Sequence, residues 1–262
     1  VSCSIVFDPA SMRASKNVLL VIAVALALLA AWALASRDFE APAGPDAPAA
    51  ATTPSAPAPV SAPDALPDDA PVLLVVGDSL SAGYGLERVT EGWVALLQAR
   101  LRSEGYAIRV VNASISGDTT RGGRARLPAA LDRFAPAITV IELGGNDGLR
   151  GFPLEEMEGN LNEMIAASRG AGSDVVLFAM MIPTNYGARY TEDFQQRFDV
   201  VASSNDVPLV PFFLEEVALD ATLMQADGIH PNANAQPIML DAVWPVIEPV
   251  LQRFKQTSDV QE

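Results

Sequence analysis

The feature that most constrains this chain is an alternation, beginning at Val72, between short unbroken apolar runs and longer stretches whose apolar residues recur at helical spacing. VLLVV at Val72–Val76 is the first run. Trp93, Leu96, Leu97 and Leu101 then share one helical face, IRVV follows from Ile108, and Leu127, Leu131 and Phe134 mark a second helix. ITVIEL from Ile138 is the third run, Leu154, Met157, Leu161, Met164 and Ile165 mark another helix, and VVLFAM from Val175 is the fourth run. Phe194, Phe198 and Val201 precede VPLVPF at Val207, and a last helical region spans about Ala233 to Phe254, bent or restarted at Pro245. Continuous apolar runs suit strands covered on both faces, and amphipathic segments between them supply the cover. The expectation is an α/β domain with five parallel strands between two layers of helices.

In doubly wound sheets the loops leaving the carboxyl ends of the strands form the ligand crevice. Here those loops are polar. Gly77-Asp78-Ser79-Leu80-Ser81 follows the first strand, Asn112 through Ser116-Gly117-Asp118 the second, and Gly144-Gly145-Asn146-Asp147 the third. The fifth strand leads, through an expected short helix, to Asp227-Gly228-Ile229-His230-Pro231. Ser79 is a candidate nucleophile, because a strand-to-helix turn exposes its hydroxyl and aims its N–H at a bound carbonyl; the same residue types also cap helices. His230 is the sole histidine, so any Ser-His mechanism must use it. Asp227, three residues earlier, can reach its second ring nitrogen across a short turn, although Asp-Gly is also ordinary turn chemistry. Asn146 can offer a side-chain N–H to an oxyanion, joined by the backbone N–H groups of Gly117 and Ser79, whereas Gly144–Asp147 also reads as a plain turn. Together the four loops bring a different part of acyl transfer to one sheet edge.

Composition removes other chemistries. Cys3 is the single cysteine, so an intramolecular disulfide and a Cys/His zinc site are excluded. Lys16 and Lys255 are the only lysines and neither lies in a Gly-rich loop, which excludes a P-loop. With 17 Lys and Arg against 32 Asp and Glu, the formal charge is -15, which repels polyphosphate backbones and argues against a nucleic-acid partner.

The front of the chain is of another kind. Val18–Ala35 is an unbroken apolar run preceded by Arg13 and Lys16, as in an export signal or a membrane anchor, with Met12 as the expected translation start. Small residues at Ala33 and Ala35 offer a cleavage site before Ser36. Residues 37–71 are rich in Pro, Ala, Ser, Thr and Asp and read as a disordered linker, since such a stretch buries too little apolar surface to offset its ordering entropy. The expected division is therefore 1–36 signal or anchor, 37–71 linker, 72–255 catalytic domain and 256–262 disordered tail. Export to the periplasm or medium is expected, with anchoring in the inner membrane through Val18–Ala35 as the alternative.

GDSLSAGYG from Gly77, SGDTT from Ser116, ELGGNDGLRG from Glu142, IPTNYG from Ile182 and DGIHPNANAQ from Asp227 resemble, in order and spacing, the blocks of the SGNH or GDSL hydrolases. The likeness is to the bacterial branch of acyl-CoA thioesterases, lysophospholipases and arylesterases, and it spans Val72 to Phe254. It implies a flavodoxin-like sheet of order 2-1-3-4-5 and a Ser79-His230-Asp227 triad. It also implies an oxyanion hole of Ser79 N–H, Gly117 N–H and the Asn146 amide, with no metal or other cofactor. Substrates would be small or lipid acyl esters and thioesters, with Leu149, Phe152, Ile182, Pro183, Asn185 and Tyr186 in the two loops expected to hold the acyl chain. The apolar members of that set could equally pack beneath their loops. Two other readings share the fold: a carbohydrate O-deacetylase, and a non-catalytic module that binds acylated ligands.

Overall fold

The computed structural model describes residues 66, 67 and 69–256. The apolar run Val18–Ala35, the linker before residue 66 and the tail from residue 257 lie outside them. Among the described residues no helix is long and apolar enough to cross a membrane.

Five parallel strands form one sheet of order β2-β1-β3-β4-β5, as the family resemblance implies. They are β1 (Val72–Gly77), β2 (Arg109–Asn112), β3 (Ile138–Glu142), β4 (Asp174–Phe178) and β5 (Leu209–Val210). Every residue of β1 and β3 is buried, which is why both read as unbroken apolar runs rather than as alternating ones. The fifth run shrinks to two paired residues because Pro208 and Pro211 flank it and neither has an N–H to donate to the ladder.

Helices cover the sheet in two groups. Helix α2 (Trp93–Ser103) packs on α7 (Gln236–Leu251), while α3 (Thr120–Phe134), α5 (Leu154–Gly170) and α6 (Ala188–Asn205) pack side by side in that order. Two short helices, α1 (Ser79–Ala82) and α4 (Gly145–Leu149), sit at the carboxyl ends of β1 and β3. The helical pattern around Leu127 accordingly becomes α3 and that around Phe194 becomes α6. Under the first group, Trp93, Phe178 and Phe213 pack with ring centroids 5.3 to 5.9 Å apart, each such pair being worth about 0.5–1.5 kcal/mol beyond its buried area.

Three expectations are corrected. The last helix is not restarted at Pro245: α7 runs through Pro245 and Pro249, flanked by short 3-10 turns at Ala233–Ala235 and Gln252–Phe254. No helix separates β5 from Asp227; that stretch is a succession of turns anchored by the buried Phe213, Leu214 and Val217. Ordered packing also begins before Val72, since Ala70 is buried and the Pro71 carbonyl accepts from Arg109 N–H at 2.8 Å.

Candidate active site

The turn Gly77-Asp78-Ser79 joins β1 to α1, and the other loops are fastened to it. Asp78 is the N-cap: its Oδ1 accepts from Leu80 N–H at 3.0 Å, so the capping role falls to Asp78 and leaves the Ser79 hydroxyl free. The loop after β2 is tied in through Ile115 N–H, which donates to the Gly77 carbonyl at 3.0 Å. The β3 end is tied in twice: Asp78 N–H donates to Glu142 Oε2 at 3.2 Å, and Asn146 Nδ2 donates to Asp78 Oδ2 at 3.0 Å. The loop after β5 is tied in through His230, whose Nε2 lies 3.0 Å from Ser79 Oγ.

His230 Nδ1 lies 2.7 Å from Asp227 Oδ2, and a carboxylate can only accept, so the ring proton sits on Nδ1 and Nε2 is left to accept from the Ser79 hydroxyl. Asp227 Oδ1 also accepts from the N–H groups of Ile229 (2.9 Å) and His230 (3.0 Å). One carboxylate thus fixes both the backbone turn and the ring. Those backbone N–H groups and the His230 ring hold the Asp227 carboxyl down at about 2, so it stays ionised throughout the neutral range. Gln225 clamps this segment to the stretch that follows α1, its Nε2 donating to the carbonyls of Tyr84 (2.8 Å) and Pro231 (2.9 Å). The Tyr84 ring packs on the imidazole at a centroid distance of 4.5 Å.

Asn146 was expected in an open loop and instead occupies the first turn of α4, half-buried. With one Nδ2 hydrogen given to Asp78, the second remains available. Gly117 adopts φ +78°, a region that side-chain-bearing residues avoid, and its carbonyl accepts from Arg150 Nη2 at 2.9 Å. Behind it, Asp147 Oδ2 and Oδ1 accept from the N–H (2.9 Å) and hydroxyl (2.6 Å) of Thr120, pinning the start of α3 to α4.

Of the expected acyl contacts, Leu149, Phe152, Pro183, Asn185 and Tyr186 are exposed. The Tyr186 hydroxyl donates to the Leu149 carbonyl at 2.9 Å, so the two loops meet. Ile182 differs from the others: it is buried beside Gly148, the packing beneath the loop that its sequence allowed as the alternative to acyl contact. Asp78, Glu142, Tyr84 and Gln225 were not singled out from the sequence, and only the polar character of the first loop hinted at Asp78.

Three carboxyls lie beneath the site. Burial pushes Asp78 up to about 6, Glu142 well above the usual carboxylate range, and Asp147 upward, against the hydrogen bonds each accepts. The folded chain therefore holds these protons more tightly than the unfolded chain, where an Asp titrates near 3.8. Their sign is opposite to that of a salt-bridged acid: stability is gained as pH falls from about 6 towards 4, where the unfolded chain is still largely ionised. The melting temperature is expected to rise by a few degrees between pH 7 and pH 5, and to rise less in Asp78→Asn. A thermal-shift series across pH checks this, and a wild-type melting temperature that falls over the interval contradicts it.

A family model described as GDSL-like Lipase/Acylhydrolase matches residues 75–236. The chain is 54% identical over 182 residues to "Esterase TesA" of Pseudomonas aeruginosa, a match covering 70% of this chain and 90% of that protein. It is 45% identical over 182 residues to "Thioesterase 1/protease 1/lysophospholipase L1" of Escherichia coli K12, covering 70% of this chain and 86% of that one. Among solved structures it resembles TesA with a TM-score of 0.67, at 54% identity, over 69% of this chain and 99% of that one. It also resembles the psychrotrophic esterase EstA of Pseudoalteromonas sp., with a TM-score of 0.66 at 42% identity over 69% of this chain and 98% of that one. On the extent of these matches, the chain belongs to the GDSL-like lipase/acylhydrolase family, and it is an SGNH hydrolase.

Proposed function

We propose that this enzyme is a serine esterase and thioesterase that hydrolyses acyl esters and thioesters, aryl esters, acyl-CoA and lysophospholipids among them, through Ser79, His230 and Asp227. The observation that carries this reading is the continuous relay from Ser79 Oγ to His230 Nε2 (3.0 Å) and from His230 Nδ1 to Asp227 Oδ2 (2.7 Å). His230 takes the Ser79 proton as the oxygen attacks the acyl carbonyl, and Asp227 keeps the imidazole in the tautomer that can receive it. The oxyanion is held by Ser79 N–H, Gly117 N–H and the free Nδ2 hydrogen of Asn146. His230 then protonates the departing alkoxide or thiolate, and a water deprotonated by the same imidazole releases the acid and restores Ser79. None of these steps calls for a metal or cofactor.

Leu149, Phe152, Pro183, Asn185 and Tyr186 form the rim that receives the acyl chain, with Ile182 as its floor. The exposed apolar members favour medium or long chains, since leaving such side chains in water is offset only when a substrate covers them. The relatives named as esterase, thioesterase, lysophospholipase and arylesterase support this range. The Arg13, Lys16 and Val18–Ala35 pattern supports export, with cleavage after Ala35 preferred to a retained anchor.

A panel of p-nitrophenyl esters, acyl-CoA thioesters and lysophospholipids of graded chain length tests the substrate reading. kcat/KM is expected to rise from acetyl to octanoyl or longer esters. Strict preference for acetate would instead make the enzyme an O-deacetylase. Failure of a serine-reactive phosphonate to label Ser79 would make it a binding module.

A further inference from the structure

Glu142 closes β3, is fully buried, and takes no part in the steps above. Its Oε2 accepts from two groups that flank the nucleophile: the backbone N–H of Asp78 at 3.2 Å and the hydroxyl of Ser81 at 2.6 Å. Its Oε1 is buried without a hydrogen-bond partner, and no cation among the described residues pairs with it. The space it occupies exists because residue 77 is glycine. A Cβ there would lie 2.8 Å from the Ser81 side chain and nearer still to Glu142 Oε2.

An ionised carboxylate in that slot would be uncompensated, with a second carboxyl, Asp78, beside it. The charged and titratable groups around the pair do not relieve this. Arg126, whose Nη2 reaches the Gly77 carbonyl at 3.3 Å, is ion-paired with Asp118 at 2.7 Å, and His230 is engaged with Asp227. A neutral acid is the less costly form: Oε2 can accept both donors as a carbonyl oxygen, and an O–H on Oε1 leaves an unpaired donor in place of an unpaired buried charge. Burial and the neighbouring Asp78 raise the Glu142 carboxyl in the same sense.

We propose that Glu142, working as an uncharged acid, is a positioning residue that sets the Gly77–Ser81 turn so that Ser79 meets His230 and Asp78 meets Asn146. This rests on the reading of Ser79 as nucleophile. Glu142 touches neither substrate nor reacting atoms. It holds the backbone before Ser79 and the side chain after it, so the turn between them is fixed at both ends. Through Asp78 the same grip reaches the Asn146 amide.

The test compares Glu142→Gln, Glu142→Ala and Ser81→Ala in the full chain, with kcat, KM and melting temperature measured on one p-nitrophenyl ester. Glu142→Ala is expected to lower kcat about 10- to 100-fold with KM changed less than about threefold, because a misplaced nucleophile slows chemistry more than binding. Glu142→Gln, whose Oε1 accepts both donors without a charge, should restore kcat to within about threefold of wild type. Ser81→Ala removes one donor and should lower kcat by about 3- to 10-fold. The proposal is overturned if Glu142→Gln is as impaired as Glu142→Ala, which would mean that charge is required. It is equally overturned if Ser81→Ala and Glu142→Ala lower only the melting temperature. Where Glu142→Ala does not fold, Glu142→Gln and Ser81→Ala decide on the same criteria. Phosphonate labelling of wild-type enzyme separates the two readings, since an unlabelled Ser79 removes the nucleophile assignment whatever Glu142 does.

Discussion

Replacing Ser79 with Ala is expected to lower kcat/KM for every ester and thioester by about 10⁴- to 10⁶-fold, leaving only the rate that binding and the oxyanion donors supply. In the proposed mechanism the Ser79 oxygen bonds to the acyl carbon, and among the described residues no other serine shares its contact with His230 at 3.0 Å. The fold should hardly notice. Ser79 is half-buried and its hydroxyl contributes that one hydrogen bond, so the melting temperature should stay within a few degrees of wild type. His230→Ala should cost nearly as much, because without the imidazole the hydroxyl keeps its proton. The double variant should be no worse than either single one, since both remove the same covalent route. Steady-state kinetics on a p-nitrophenyl ester, with labelling by a phosphonate as an independent readout, check this. Additive losses would show that the two side chains act separately.

Asn146→Ala is expected to lower kcat about 10²- to 10³-fold with KM little changed, the usual consequence of deleting one preorganised oxyanion donor. Asp78→Asn should approach the same loss without touching substrate. An ionised Asp78 Oδ2 only accepts, and that compels Asn146 to turn its amide nitrogen towards it at 3.0 Å, leaving the second hydrogen for the oxyanion of the proposed mechanism. An amide at position 78 keeps an oxygen for Leu80 N–H and turns its own nitrogen towards Asn146. Asn146 must then flip and present its oxygen, which repels the developing negative charge. The two substitutions share one mechanism, so their combination should match Asn146→Ala alone. An Asp78→Asn enzyme with wild-type kcat would refute this.

The sheet was legible because its strands are buried on both faces, so Val72–Val76 and ITVIEL stand out as apolar without any alternation. The four chemical loops were legible because each follows a strand and carries its functional residue within a few positions of the strand end or of a turn. Partners distant in sequence were not. Glu142 passed unnoticed within the ITVIEL run, because its partners Asp78 and Ser81 lie 64 and 61 positions away. The cap that Ser79's position suggested is supplied by Asp78, whose second oxygen answers to Asn146, 68 positions on. The short helix expected before Asp227 failed for a related reason. That segment is shaped by buried Phe213, Leu214 and Val217 and by the Gln225 clamp rather than by a local period. Proline acts differently in the two places: Pro245 is accommodated inside a continuous α7, whereas Pro208 and Pro211 cut the last strand to two residues.

In the proposed relay His230 and Asp227 ride on a run of turns held by buried Phe213, Leu214 and Val217 and by the Gln225 links, while Ser79 is mounted directly at the end of β1. Anything that loosens this run is expected to withdraw the imidazole before it disturbs the sheet, so activity should fall ahead of tertiary signal in a denaturant titration. What remains is a serine with nothing to strip its hydrogen, and so a partly opened enzyme is chemically disarmed before it is structurally lost.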